Sequence, residues 1–165
     1  MLQLKPIWKA NNSYKIYKVE CHKALKLFDI RLFTLRHFDK TMKDIENQDD
    51  LYLLVDEFYK RLLSDTAISY IFTDVVKIKL EEHLPILVTF WSQAILETGG
   101  YTNNLTQIHL DIDKKEPLTP ELFTIWLDHF FVAVDTHFAG SNSEKIKTQA
   151  LNLATVMKIK IAQKN

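Results

Sequence analysis

The stretch Thr119–Gly140, TPELFTIWLDHFFVAVDTHFAG, predicts a helix along nearly its whole length. Thr119 offers an N-cap hydroxyl, Pro120 suits the first helical position, and Glu121 faces the positive end of the helix dipole. Apolar residues then recur at helical spacing, namely Phe123, Trp126, Leu127, Phe130, Phe131, Val134 and Phe138. Gly140 is expected to end the helix.

Three further segments are also predicted to be helices. Asp49 or Asp50 is predicted to cap a helix whose apolar stripe is Leu51, Leu54, Val55, Phe58, Tyr59 and Leu62. A second helix is predicted from Glu81 or Glu82 to Leu96, with Pro85 in its first turn. The last helix opens at Ser141 or Ser143 and is striped by Ile146, Ala150, Leu153, Met157 and Ile161.

Two segments between these helices are less regular. Thr66 to Phe72 is long enough for a turn or two of helix. Tyr101 to Glu116, which contains His109, is predicted to be a looser, non-helical stretch.

Composition agrees with an all-α fold. The 165 residues hold only three glycines and four prolines, far below the roughly 12% of an average protein, whereas a β-sandwich needs turn residues at every strand end. Three glycines are too few for a glycine-rich nucleotide-binding loop. A single cysteine, Cys21, excludes an intramolecular disulfide and a multi-thiolate metal site, so a reducing, cytoplasmic setting is expected.

Residues 1–41 differ in charge from the rest. They carry nine lysines and arginines against three acids, a net charge of +6, so the remainder has −6. The acidic body argues against nucleic-acid binding. We expect a basic N-terminal extension, poorly ordered or not native, followed by one domain over residues 42–165. The extension is either a membrane- or partner-binding arm or dispensable to the fold. No run reaches the ~18 apolar residues of a membrane span.

Four polar residues lie among apolar ones: Tyr59, His83 and Trp126 on helical stripes, and His109 between Ile108 and Leu110. Any one alone is ordinary in a protein core, where it needs a single hydrogen-bond partner. Together, two imidazoles, a phenol and an indole among aromatic residues are typical of a buried haem site, in which one imidazole binds the iron.

Other sites are less well supported. His83 lacks the second histidine of a zinc-binding H-E-x-x-H helix, and neither His83 nor His109 has the glutamate of a di-iron pair three residues before it. His129 and His137, about two helical turns apart, are interpreted as an exposed or interfacial pair. Cys21-His22 lacks the motif of covalent haem attachment.

From about Met42 onward, the chain resembles the third group of bacterial truncated haemoglobins. The resemblance rests on the order and spacing of these short motifs: Phe58-Tyr59, Ile71-Phe72, His83-Leu84-Pro85, Phe90-Trp91, Thr98-Gly99-Gly100-Tyr101, His109-Leu110, Pro117-Leu118-Thr119, Phe123 and Trp126-Leu127. There are two departures: Tyr70 replaces a common glycine-proline turn, and the paired glycines near the start of the fold have no clear counterpart.

The resemblance implies a globin-like two-over-two helical sandwich around one haem b (iron protoporphyrin IX). His109 would be the proximal iron ligand, and Tyr59, His83 and Trp126 the distal side chains. The pocket walls would be Phe58, Phe72, Leu87, Phe90, Trp91 and Phe123.

Such a globin is expected to be a monomer that binds dioxygen, nitric oxide and carbon monoxide reversibly at a five-coordinate iron. Two or three distal donors would hold oxygen too firmly for bulk transport. Redox chemistry on oxygen, nitric oxide or peroxide, such as nitric oxide dioxygenase or peroxidase-like activity, is therefore the favoured hypothesis, with an unidentified reductase as partner. The alternative is a haem-free globin-like sensory or protein-interaction module.

Overall fold

The structure, a computed structural model, describes residues 42–164, and the predictions for residues 1–41 lie outside that range. Within it the chain forms five α-helices and a short π-helix, Ile71–Val75. The α-helices are α1 Gln48–Ser64, α2 Leu80–Ile95, α3 Leu105–Asp113, α4 Pro120–His137 and α5 Ser141–Lys164. None of the helices between residues 42 and 164 combines the length and the apolar character needed to cross a bilayer.

Four of these helices form the predicted two-over-two arrangement. Helix α1 packs on α2 and α4, α5 packs on α4 and α2, and the short α3 rests against α5. The predicted stripe of α1 lies wholly in the core, and Phe130 at the centre of α4 is completely buried. Trp91 of α2 stacks on Phe130 with ring centroids 5.0 Å apart. The all-α prediction is therefore confirmed.

Helix α1 begins earlier than predicted. Its N-cap is Asn47, whose side-chain oxygen accepts a hydrogen bond from the Asp50 backbone N–H at 3.0 Å. The prediction that Asp49 or Asp50 is the cap was wrong, because both lie inside the first turn, where a carboxylate still stabilises the helix dipole. At α4 the expected cap is present, since the Thr119 hydroxyl accepts from the Leu122 N–H.

Helix α2 also begins earlier than the sequence indicates, at Leu80. Pro85 therefore lies in the second turn, not the first, and cannot donate a hydrogen bond to the carbonyl of Glu81. Glu81 is exposed, so water can reach that carbonyl.

The largest difference from prediction is α3. The looser stretch expected over Tyr101–Glu116 contains a regular helix, Leu105–Asp113, and His109 lies in its middle. Asn104 caps this helix by accepting from the Gln107 N–H at 3.1 Å. None of its residues is buried, so its apolar stripe is short and incomplete and gave only a weak helical pattern.

Asp44 connects the start of the described chain to the α4–α5 turn by hydrogen bonds. Its carboxylate accepts hydrogen bonds from the Ser143 N–H at 2.9 Å, the Ser143 hydroxyl at 2.8 Å and the Asn142 N–H at 2.9 Å. These donors lie at the N-terminus of α5, where a negative charge is stabilised, and together they lower the pKa of Asp44 despite its partial burial. A Cβ atom at Gly140 would overlap this carboxylate, so the turn needs glycine there.

Candidate functional site

A cavity of about 330 Å³ lies among the helices and the π-helix. Its walls include every residue that the sequence assigns to the site: Phe58, Tyr59, Phe72, His83, Leu87, Phe90, Trp91, His109, Phe123 and Trp126. The described lining is mostly aromatic and aliphatic and includes no aspartate, glutamate, lysine or arginine. The cavity therefore suits a large apolar ligand with a few polar contacts.

Tyr59 and His83 form a hydrogen-bonded pair in this cavity. The Tyr59 hydroxyl of α1 lies 2.9 Å from Nε2 of His83 on α2. The two rings meet edge to face with centroids 5.4 Å apart. Tyr59 is only 3% exposed, so its hydroxyl has a fixed place in the wall.

Burial sets the charge of this pair. It raises the pKa of Tyr59 far above its ordinary value and lowers the pKa of His83 below 6.5. Near pH 7 the pair is therefore a neutral phenol beside a neutral imidazole. If Nε2 of His83 carries the proton, it donates to the tyrosine oxygen and leaves the phenolic proton free for a ligand. In the other tautomer the phenol donates to Nε2.

Trp126 completes the trio expected on one side of the ligand. Helix α4 supplies it, and its ring stacks on Phe130 at 5.4 Å and meets Phe58 edge to face at 5.5 Å. These contacts fix the indole plane in the cavity wall. The indole nitrogen is a hydrogen-bond donor and cannot accept.

His109 reaches the same cavity from α3. Its Nδ1 lies 2.9 Å from the carbonyl oxygen of Leu105. Since a carbonyl only accepts, Nδ1 carries the proton and Nε2 is left with a free lone pair. Burial lowers the pKa of His109 below 6.5, and the Leu105 carbonyl only partly opposes this. A neutral imidazole with a fixed tautomer is ready to bind a metal.

The residues present fit a haem. Within residues 42–164 no three histidine, cysteine, aspartate or glutamate side chains gather as a metal-binding group. If a haem were bound, the porphyrin would supply most of the ligands of the iron, and the free Nε2 of His109 could supply one more. Three aliphatic residues of the cavity wall, Val76, Ile86 and Ile108, are 36–42% exposed. A flat apolar macrocycle would cover such residues, which otherwise face water.

Several wall residues were not predicted from the sequence. Tyr101 and Asn103 contribute polar groups, and Met157 of α5 contributes its thioether. Tyr101 packs edge to face on Phe90, with centroids 5.0 Å apart, just after the Gly99-Gly100 pair. Met157 belongs to the predicted apolar stripe of α5. An apolar stripe shows which residues face inward, but not whether they pack in the core or line a cavity.

His129 and His137 lie outside the cavity. His129 Nε2 is 2.8 Å from Asp65, and His137 Nε2 is 3.7 Å from Glu57, too far for a hydrogen bond. Both are half-buried where α4 meets α1, and neither lines the cavity.

Tyr70 allows the π-helix to start without a glycine-proline turn, because its backbone is already helical at φ −58°.

The chain is similar to a known protein in sequence and to a solved structure in fold. No family model matches the chain. Over 87 residues, 51% of this chain, it is 30% identical to group 3 truncated hemoglobin ctb of Campylobacter jejuni. The chain spans 66% of the length of that curated relative. Its fold matches the crystal structure of group III truncated hemoglobin from Campylobacter jejuni with a TM-score of 0.66 and 22% identity, covering 73% of this chain and 95% of that one.

The sequence similarity covers half of the chain, and the structural similarity covers nearly three quarters of it. The resemblance drawn from short motifs is therefore confirmed in sequence and in fold. The chain has a globin fold and is similar in sequence and structure to a group III truncated haemoglobin.

Proposed function

We propose that the chain binds haem b in the cavity, and that Nε2 of His109 would hold its iron. One observation carries this proposal: the Nδ1 proton of His109 is committed to the Leu105 carbonyl, which leaves the Nε2 lone pair at an uncharged, largely apolar cavity. The group 3 truncated hemoglobin relative supports the same cofactor by its name.

A bound haem would supply an iron that binds dioxygen, nitric oxide or carbon monoxide and exchanges electrons with them. Tyr59, His83 and Trp126 would then face the small ligand with up to two free hydrogen-bond donors, the Tyr59 hydroxyl and the Trp126 indole N–H, because the Tyr59–His83 bond uses one proton of that pair. Phe58 and Phe72 meet Tyr59 edge to face, at 5.1 and 5.8 Å, and limit the access of water to the phenol. Donors in such a dry site need little reorganisation.

The strength of these hydrogen bonds favours redox chemistry over transport. A hydrogen bond to a charged acceptor contributes about 1.5–3 kcal/mol, so two good donors would slow ligand release by roughly a hundredfold or more. A neutral His83 can also take up and return a proton beside the reacting ligand. We therefore favour a role in oxygen, nitric oxide or peroxide chemistry.

The full-length chain, titrated with hemin and followed by absorbance, tests the proposal. We expect one hemin per chain, a sharp Soret band, and a shifted Soret band on reduction under carbon monoxide. A folded chain that takes up no hemin would overturn the proposal and favour a haem-free interaction module, whose cavity would serve another ligand.

A further inference from the structure

Among residues 42–164, the cavity wall offers hydrogen-bond donors but no lysine or arginine to pair with an acidic ligand. Haem b carries two carboxylates, and a carboxylate at an apolar edge is stabilised by a cation or by water. If the proposed haem binds here, a cation for its carboxylates must come from beside the wall or from outside the described residues.

Lys77 is placed to supply that cation. It follows the π-helix and stands between Val76 and Ile78, both of which line the cavity. Its side chain is exposed, and it has no ion-pair partner among residues 42–164. An ammonium group on a flexible four-carbon stem can reach a carboxylate at this rim.

The backbone of Lys77 is unusual. Its φ is +55°, in the left-handed region that favours glycine. The next residue, Ile78, donates its N–H to the Phe72 carbonyl at 2.9 Å and so closes the turn. This closed turn fixes the backbone from which the Lys77 side chain extends, beside the wall residues Val76 and Ile78.

Glu97 provides a natural comparison. Its φ is +58°, and the next residue, Thr98, likewise donates to a carbonyl six residues back, that of Ser92, at 3.4 Å. The Glu97 side chain is 87% exposed, and neither it nor its immediate neighbours line the cavity. The two positions therefore share a backbone geometry and differ in their relation to the ligand.

Other lysines beside the wall are less suitable. Lys79 pairs with Glu82 at 3.0 Å, and Lys60 pairs with Asp56 at 2.8 Å. Lys158 follows the wall residue Met157 within a regular helix, so its side chain is rotated by about 100° from that of Met157.

We propose that Lys77 binds a carboxylate of the porphyrin, and that its left-handed backbone holds the ammonium group at the cavity rim. This assignment rests on the proposed haem function. It adds a residue that recognises the porphyrin edge independently of the iron.

Porphyrin binding without iron separates the two proposals. The full-length chain and its Lys77→Met variant are titrated with metal-free protoporphyrin IX and with its dimethyl ester, which lacks the carboxylates. We expect the variant to bind the free acid about two- to fivefold more weakly, with unchanged binding of the ester. High salt should reduce this difference.

Two results would contradict the assignment in different ways. Equal loss of both porphyrins, or no loss of either, would overturn the role of Lys77 and leave the proposed function standing. If neither porphyrin binds even the unaltered chain, the proposed function fails and the role of Lys77 fails with it.

Glycine variants provide the control for backbone strain. Lys77→Gly and Glu97→Gly should each raise the melting temperature of the haem-free chain, because each relieves a left-handed residue. Only Lys77→Gly should also speed the loss of protoporphyrin IX. Similar retention by the two variants, or no rise in melting temperature with Lys77→Gly, would contradict the proposal.

Discussion

The Tyr59 hydroxyl lies 2.9 Å from Nε2 of His83, and this bond joins α1 to α2 inside the cavity. Both groups are neutral near pH 7, because burial raises one pKa and lowers the other. The tautomer of His83 therefore decides whether the phenolic proton is free for a ligand.

Loss of either distal donor should speed oxygen release. If Tyr59 and Trp126 each donate to the ligand, Tyr59→Phe and Trp126→Phe should each raise the oxygen dissociation rate at least tenfold, because each removes about 1.5 kcal/mol or more. Flash photolysis or stopped-flow on the haem-loaded chain measures this rate. Tyr52→Phe is the matched control, since Tyr52 is 49% exposed on α1 and does not line the cavity. Rates within twofold of the parent would mean that the two side chains point elsewhere.

Acid should destabilise the haem-free chain through its cavity histidines. The pKa values of His83 and His109 in the folded protein lie below their ordinary value of 6.5, so the unfolded chain binds protons first as the pH falls. Their stabilising contribution is complete above pH 6.5 and is lost as the pH drops toward the folded values. Asp44 and Asp50 have pKa values below 3.8, so their contribution is lost only in a separate, more acidic range.

Urea unfolding at several pH values between 7.5 and 5 measures this effect. His83→Leu should reduce the pH dependence of the unfolding free energy over that range. An unchanged slope would show that His83 is not held neutral by burial.

Asp44 should contribute clearly to stability. Asp44→Ala removes the acceptor for three donors at the start of α5 and is expected to cost about 2 kcal/mol. Asp128→Ala, at an exposed site on α4, is the control and should cost well under 1 kcal/mol. Equal midpoints of urea unfolding for the two variants would refute this role.

Gly140→Ala tests the same contact from the other side. The added methyl would displace the Asp44 carboxylate, so it removes the interaction that Asp44→Ala also removes. The double variant should therefore lose less stability than the sum of the two single changes. Full additivity would show that the two residues act independently.

Much of this architecture could be predicted from local signals. The stripe of α1 and the Thr119-Pro120 start of α4 are short-range features, and each is present as predicted. The residues around the cavity were assembled by resemblance, since no local pattern brings Tyr59 next to His83, 24 positions away.

Two features could not be predicted from the local sequence: the helical conformation of α3 and the left-handed backbone of Lys77. The apolar residues of α3 face a cavity and not a packed core, so they form a weak stripe, although Asn104 is a recognisable cap. The left-handed backbone of Lys77 is set by the closure of the π-helix onto Ile78, and a lysine gives no signal for that conformation.

One absorption spectrum tests the role of His109. We expect His109→Gly to abolish the Soret band of the reduced carbon monoxide form, and added imidazole to restore it. His83→Gly, the same change at the other cavity histidine, should keep the band without imidazole. An unchanged spectrum for His109→Gly would contradict the account, because the iron would then be held by another group.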